Sequence, residues 1–262
     1  MYKILRNDLH RTFVAWRFVI SVAGVIAAVI TTRMQMAYIY DVLYTFQGIH
    51  VRSMILMTFV FCAYPSVGML LDEIRNRYWI QMVLRSGIRR YAVSKIIVCI
   101  LSAQITMFAG KGIYILLLWL KYPLIDYEGS AYQNMIVNGN YTMLIGKHPL
   151  MFFFCAVLVT ALLAAILSLC SMLCILCVKI NCITALSVPI VLFYFINTYL
   201  IRTMKLPDQF NIASIFSIFY NVLDNDAKSV LYALGFAGVC FVLLGFIIVK
   251  VLTERVRRGE FQ

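Results

Sequence analysis

Six long apolar runs, five of them free of charged residues and most of them close to twenty residues long, constrain this chain more than any other feature. An α-helix needs about twenty residues to cross a hydrocarbon core about 30 Å thick, and a helix satisfies every backbone polar group inside lipid. Charged residues make up 13% of the 262 residues, well below the roughly 25% typical of a soluble domain. We therefore predict an all-α integral membrane protein with a single transmembrane domain over residues 1–262. The six spans lie at about 18–32, 53–71, 96–120 (interrupted by Lys111), 149–178, 182–201 and 229–249.

The distribution of Lys and Arg predicts the orientation of these spans. With the N-terminus in the cytoplasm, the cytoplasmic segments hold fifteen basic residues and the outer loops seven. Because cytoplasmic loops carry an excess of Lys and Arg, both termini are predicted to be cytoplasmic. The net charge of +12 then belongs mainly to the cytoplasmic rim beside anionic lipid headgroups, and binding to nucleic acid is not needed to explain it.

The first seventeen residues are basic and patterned. Leu5, Leu9, Phe13 and Trp16 recur at helical spacing on one side, which favours an amphipathic helix on the inner surface that leads into an uncleaved first span. An ordinary basic flank is the alternative. Pro65 and Pro189 fall inside predicted spans two and five, where neighbouring helices can satisfy the freed carbonyls.

Groups with catalytic or metal-binding chemistry are sparse. The three histidines lie near the ends of the predicted spans, and none of those spans contains an acidic residue, which argues against a membrane enzyme. The spacing of Cys170, Cys174 and Cys177 suits metal ligands, but their apolar surroundings favour a packing role. We expect no metal and no directly bound cofactor.

Lys111 is the one ionisable residue within the predicted spans. A charge at membrane depth is unfavourable unless it reaches the interface, pairs or faces water. We interpret Lys111 as either snorkelling or structurally paired, with a place on a translocation path as the weaker alternative. The segment Gly110–Gly112 lacks the other residues of a phosphate-binding loop.

The cytoplasmic loop between spans two and three is the most informative segment. From Asp72 to Ser86 it mixes acidic, basic and apolar residues, and Ser86 with Gly87 is typical of a helix end. We predict a short helix, with the acidic pair at its start, that docks on a soluble partner; anchoring to lipid headgroups is the alternative. The candidate docking residues are Glu73, Arg75, Arg77, Trp79, Ile80, Leu84, Arg85 and Gly87.

The pattern formed by Glu73, Arg85, Gly87, Arg90, Tyr91 and Lys95 resembles that of the permease subunits of ABC-2 type ABC transporters. In that family an acidic pair ends span two, a coupling helix follows, and a basic, glycine-containing stretch leads into span three. The family also has an amphipathic N-terminal helix, six spans and a short re-entrant helical element before the last span. Such an element is suggested here by the apolar face formed by Ile212, Ile215, Phe216, Phe219 and Leu223.

The resemblance implies a subunit of an ATP-driven exporter in a cell membrane, of bacterial origin. The chain has no Walker motif, so ATP and Mg would be bound by a separate ATPase subunit. A second permease chain would pair with this one, and the small residues Ala23, Gly24, Ala27 and Ala28 offer a packing face either for that chain or within this one. A hydrophobic or amphipathic substrate such as a peptide is expected. The alternative is an accessory or immunity-type membrane protein that binds a partner in the bilayer without transporting.

Overall fold

A computed structural model describes residues 2–34, 41–50, 55–139, 141–178, 181–201, 207–217, 222–223 and 225–258, and within these ranges all regular secondary structure is helical. The helices are α1 (Tyr2–Phe13), α2 (Trp16–Met34), α3 (Val42–His50), α4 (Leu56–Arg75), α5 (Tyr78–Ser86), α6 (Ile88–Trp119), α7 (Ser130–Gly139), α8 (Thr142–Ile145), α9 (Pro149–Cys177), α10 (Cys182–Phe195), α11 (Ile212–Ile215) and α12 (Asp226–Arg257). A π-helical segment, Ile196–Ile201, continues α10, and Asp208–Phe210 forms a 3₁₀ turn.

Five of the described helices, α2, α4, α6, α9 and α12, are long and apolar enough to cross a membrane. They correspond to five of the six predicted spans. The helices α6 and α12 extend beyond the predicted spans, because charged residues continue a helix past its apolar part. The remaining predicted span, 182–201, is α10 with its π-helical continuation, a shorter apolar helix. The prediction of six spans therefore stays a prediction, and residues 53–54 of predicted span two lie outside the described residues.

The centre of the bundle is α9, which packs against α4, α6, α10 and α12. In its most apolar window 72% of the residues are buried, against 17% for α12. Pro149 at the first position suits the start of α9, since its ring fixes a helical φ and no N–H is needed there. A helix as apolar as α9 fits the middle of the bundle, whereas α12 presents most of its apolar surface outward.

Close packing of α2 against its neighbours depends on two glycines. A Cβ atom at Gly24 would overlap the ring of Phe61 on α4, and one at Gly110 on α6 would overlap Val25. Small residues at such crossings let helix backbones approach closely. Gly24 and Ala28 therefore pack within this chain, while Ala23 and Ala27 lie on the exposed face of α2.

One end of the bundle, which we call the basic end, gathers Arg17, Arg75, Arg77 and Arg255 around a shared cavity. These residues come from α2, α4, the α4–α5 turn and α12. The positive-inside pattern predicts all four on the same side of the membrane, and the fold brings them together. The opposite end is formed by α3, α7 and α8, where Asp41 accepts hydrogen bonds from the backbone N–H groups of Tyr44 (2.7 Å) and Asp126 (2.9 Å).

Two predicted helical faces differ from the structure. In α1 the completely buried residues are the polar Asp8 and Thr12, while Leu5, Leu9 and Phe13 are half-buried, so polar contacts hold the helix against the bundle. Trp16 is exposed and begins α2. The predicted apolar face before the last span is a single turn, α11, which ends at Ile215; Phe216 is buried in the following turn, Leu223 lies in another turn, and Phe219 lies outside the described residues.

Pro65 and Pro189 lie inside α4 and α10, as predicted.

Candidate functional site

The short helix α5 stands between two long helices at the basic end. The break before it is set by Arg77, whose backbone adopts the left-handed conformation (φ 55°). The break after it is set by Gly87, with φ 80° and ψ 145°, a conformation that only glycine adopts readily. Ser86 and Gly87 therefore end the helix as the sequence predicted, and the chain turns directly into α6.

The start of the predicted docking helix requires a correction. Asp72 and Glu73 belong to the last turn of α4, which continues to Arg75, and α5 begins only at Tyr78. Acidic residues were expected in the first turn of the short helix because they favour helix N-termini, but the first turn of α5 contains none. The carboxylates instead serve contacts with α1, α2 and α6.

Lys95 is the centre of a buried ionic cluster beneath α5. Its Nζ lies 2.9 Å from Asp8 Oδ1 and 2.8 Å from Glu73 Oε1, and all three side chains are at most 3% exposed. Asp8 comes from α1, Glu73 from α4 and Lys95 from α6. One ammonium group therefore ties together three helices that are distant in sequence.

The remaining oxygens of the two carboxylates are also satisfied. Ser94 Oγ donates to Asp8 Oδ2 (2.7 Å), and Tyr91 OH donates to Glu73 Oε2 (2.7 Å). Arg11 Nη1 donates to Glu73 Oε1 (3.0 Å), and its guanidinium lies 5.3 Å from the ring centre of Tyr78. We call Asp8, Arg11, Glu73, Tyr91, Ser94 and Lys95 together the ionic cluster.

The ionic cluster is balanced in charge, with two carboxylates, one ammonium and one guanidinium. Buried charges are tolerated when they are paired and hydrogen-bonded, and removing one partner of such a set is strongly unfavourable. Glu73 lies five residues before α5 and Tyr91 five residues after it. Both ends of α5 are therefore fixed to the same rigid centre, and Arg11 extends that centre to the first residue of α5.

The predicted docking residues divide into two groups. Glu73 and Trp79 are buried, so in this conformation they hold α5 in place and are not available to contact a partner. Ile80 is half-buried against the core at the basic end, together with the buried Val83. The exposed group consists of Leu84, which is 80% exposed, and the arginines at 75, 77 and 85.

Sequence reasoning identified Glu73 and Lys95 through the family pattern but did not pair them, and it missed Asp8 and Arg11. A signal was present, because Asp8 is the only acidic residue among the first seventeen. A lone acid in a basic segment is a candidate for a specific ion pair. Its partner, 87 positions away, was not deducible without the fold.

Lys111 does not snorkel. Its side chain is 2% exposed, its Nζ donates to Thr160 Oγ1 on α9 (3.1 Å), and it lies 5.8 Å from the ring centre of Phe46. Structural pairing was the other part of the favoured interpretation, and the hydrogen bond to Thr160 agrees with it. In this conformation Lys111 is enclosed within one chain.

The cysteines with metal-like spacing lie near the end of α9, where Cys170 and Cys174 are half-buried and Cys177 is exposed. Among the described residues, no three His, Cys, Asp or Glu side chains lie close enough to hold a metal ion.

Comparison with protein-family models, with curated proteins and with solved structures finds no match to this chain. The case for its function therefore rests on its residues and their geometry.

Proposed function

We propose that this chain is the membrane-spanning subunit of an ATP-driven transporter of the ABC-2 type, and that α5 is the helix through which a separate ATPase acts on it. The observation that carries the proposal is that α5 has one buried face and one exposed face. One face of the helix, with Trp79 and Val83, is buried in the bundle, while Leu84 and Arg85 on another face are exposed. Arginine is enriched at protein interfaces, and the exposed leucine beside Arg85 offers an apolar contact for a partner.

The ionic cluster supports the proposal that movement of α5 is passed on to the membrane-spanning helices. A helix that responds to an ATPase must pass its movement to the spans, and α5 is joined to α1, α4 and α6 through Arg11, Glu73 and Lys95. Rigid contacts of this kind move as a unit. The buried docking candidates Glu73 and Trp79 thus act as positioning residues, and contact with the ATPase is left to the exposed ones.

The proposed topology has six spans, with both termini in the cytoplasm of a bacterial cell. The fifth span in this topology is α10 with its π-helical continuation, which together contain 20 residues and reach about 30 Å. The exposed small residues Ala23 and Ala27 on α2 offer a contact face for a second permease chain. The substrate class is hydrophobic or amphipathic, such as a peptide. Lys111 would line its path only in a conformation that opens α6 from α9.

The orientation can be tested with single cysteines at Val137 on α7 and Glu254 on α12, both exposed and at opposite ends of the bundle. In a background with the eight native cysteines replaced, an impermeant maleimide should label Val137→Cys in intact cells. It should label Glu254→Cys only after the membrane is opened, because basic segments are retained in the cytoplasm. The reverse labelling pattern would contradict the orientation and remove α5 from reach of a cytoplasmic ATPase.

The function itself is tested by purifying the tagged chain from its own cells in mild detergent and identifying the proteins that remain bound. A nucleotide-binding ATPase at fixed stoichiometry, with ATP hydrolysis that responds to reconstitution of the chain in lipid, is the expected result. A different membrane protein bound in place of an ATPase would support the accessory-protein alternative and contradict the transporter proposal.

A further inference from the structure

A cavity of about 750 Å³ opens at the basic end beside α5. Its walls come from α2, α4, α5, α6, α9, α10 and α12. Pockets that hold small molecules usually enclose about 300–1,000 Å³, so this volume is enough for a polar headgroup and the first part of an attached chain. The contacts within the ionic cluster do not explain why a cavity of this size lies beside it.

The polar lining of the cavity is strongly cationic. Among the described residues, four arginines and one acidic residue line it, a net charge of +3. The acid, Asp72, is already paired with Arg17 at 2.6 Å. Arg75, Arg77 and Arg255 make no ion pair with any described acidic residue. Three guanidinium groups around one space favour an anion with several oxygens, since their planar forks match phosphate.

Much of the remaining lining is apolar. Ile175 and Leu176 of α9, Leu252 of α12 and Trp79 of α5 contribute to the walls. The cavity also reaches Asn181 and Cys182 at the start of α10, where the side chain of Asn181 makes no capping hydrogen bond. A free inorganic anion would use only the arginines. A molecule with an anionic head and an apolar body would use both kinds of surface.

We propose that this cavity binds the phosphate headgroup of an anionic phospholipid, with the start of its acyl chains against the apolar residues of α9 and α12. The arginines lie at one end of the long apolar helices, where a membrane spanned by those helices would place its lipid phosphates. The proposal does not depend on transport. A lipid bound there would also contact α5, because Arg77 directly before this helix and Trp79 within it both line the cavity.

The experiment uses the purified full chain in nanodiscs of phosphatidylcholine that contain a minor fraction of phosphatidylglycerol. Native mass spectrometry then counts the lipids that remain bound. We expect retention of phosphatidylglycerol over phosphatidylcholine, and a loss of about tenfold or more in Arg75→Gln/Arg255→Gln, because two charge-assisted contacts are removed. Arg257→Gln is the matched control, since this exposed arginine is two residues from Arg255 and does not line the cavity.

The melting temperature of each variant shows that the chain is folded, and inorganic phosphate is added to separate free anion from lipid. Selective retention that survives phosphate and depends on Arg75 and Arg255 but not on Arg257 supports the proposal. Displacement of the lipid by phosphate, with phosphate itself bound through the same arginines, would assign the cavity to a free anion and overturn it. An equal loss in Arg257→Gln, or no preference between the lipids, would overturn it as well, because the attraction would then be general or absent. Release of phosphatidylglycerol only on binding of an acidic protein partner would assign the arginines to that partner.

Discussion

Replacing Lys95 with methionine is expected to destabilise the folded chain by about 3–5 kcal/mol. Methionine has a similar volume, but it leaves the carboxylates of Asp8 and Glu73 buried beside each other with only Arg11 to balance them. For a chain of this size the melting temperature should fall by about 10 °C or more. Measurement of thermal unfolding in detergent for Lys95→Met and the native chain checks this result.

Two further variants make the Lys95 prediction specific. Lys250→Met removes an exposed lysine near the end of α12 and should leave the melting temperature unchanged. Asp8→Asn/Lys95→Met removes one buried charge of each sign and should recover part of the loss, since Glu73 keeps its contacts with Arg11 and Tyr91. If Lys95→Met unfolded at the same temperature as the native chain, the ionic cluster could not be the rigid centre that supports α5.

Under the proposed function, replacing Leu84 with aspartate is expected to release the partner ATPase from the purified chain without affecting insertion of the chain. A central apolar contact at an interface is worth about 2 kcal/mol, or roughly 30-fold in affinity, and a carboxylate in its place adds the loss of solvation. Because Leu84 is 80% exposed in the isolated chain, the substitution leaves the bundle itself intact. The ratio of ATPase to this chain after purification is the measurement, with coupled transport as the second readout.

Leu84 is a more specific test of docking than Ile80. Ile80 is half-buried against the core at the basic end, so aspartate at position 80 would also disturb the fold. Ile145→Asp is the matched control, since Ile145 is an aliphatic residue, 51% exposed, at the opposite end of the bundle. It should keep the ATPase at native stoichiometry. Native stoichiometry in Leu84→Asp, with Ile145→Asp behaving identically, would show that α5 is not the docking element and would favour simple attachment to lipid headgroups.

The apolar runs predicted where the long helices lie because their period and length are local properties of the sequence. The end of α5 was predictable for the same reason, since Ser86 and Gly87 act on the backbone next to them. The start of α5 was not, because Asp72 and Glu73 are compatible with either helix, and only contacts with Arg17, Arg11 and Lys95 decide the matter.

The burial of Lys111 and the docking of α1 show a second limit. Amphipathic spacing indicated that Leu5, Leu9 and Phe13 share a face, but it could not show that the neighbouring Asp8 is held by Lys95, a lysine of α6 just before the third predicted span. In the same way, the hydroxyl group that accepts the hydrogen bond from Lys111 belongs to Thr160 on another helix, α9. Pairings between distant polar residues are properties of the assembled bundle.

The distance along the chain between Asp8 and Lys95 has a consequence for biosynthesis. Asp8 is made first, and its partner follows 87 residues later, at the head of α6. Until α6 has entered the membrane, α1 has no buried partner for its carboxylate and must wait in water or among headgroups. The docking of α1 onto Lys95 therefore cannot precede the insertion of α6, the helix that follows α5.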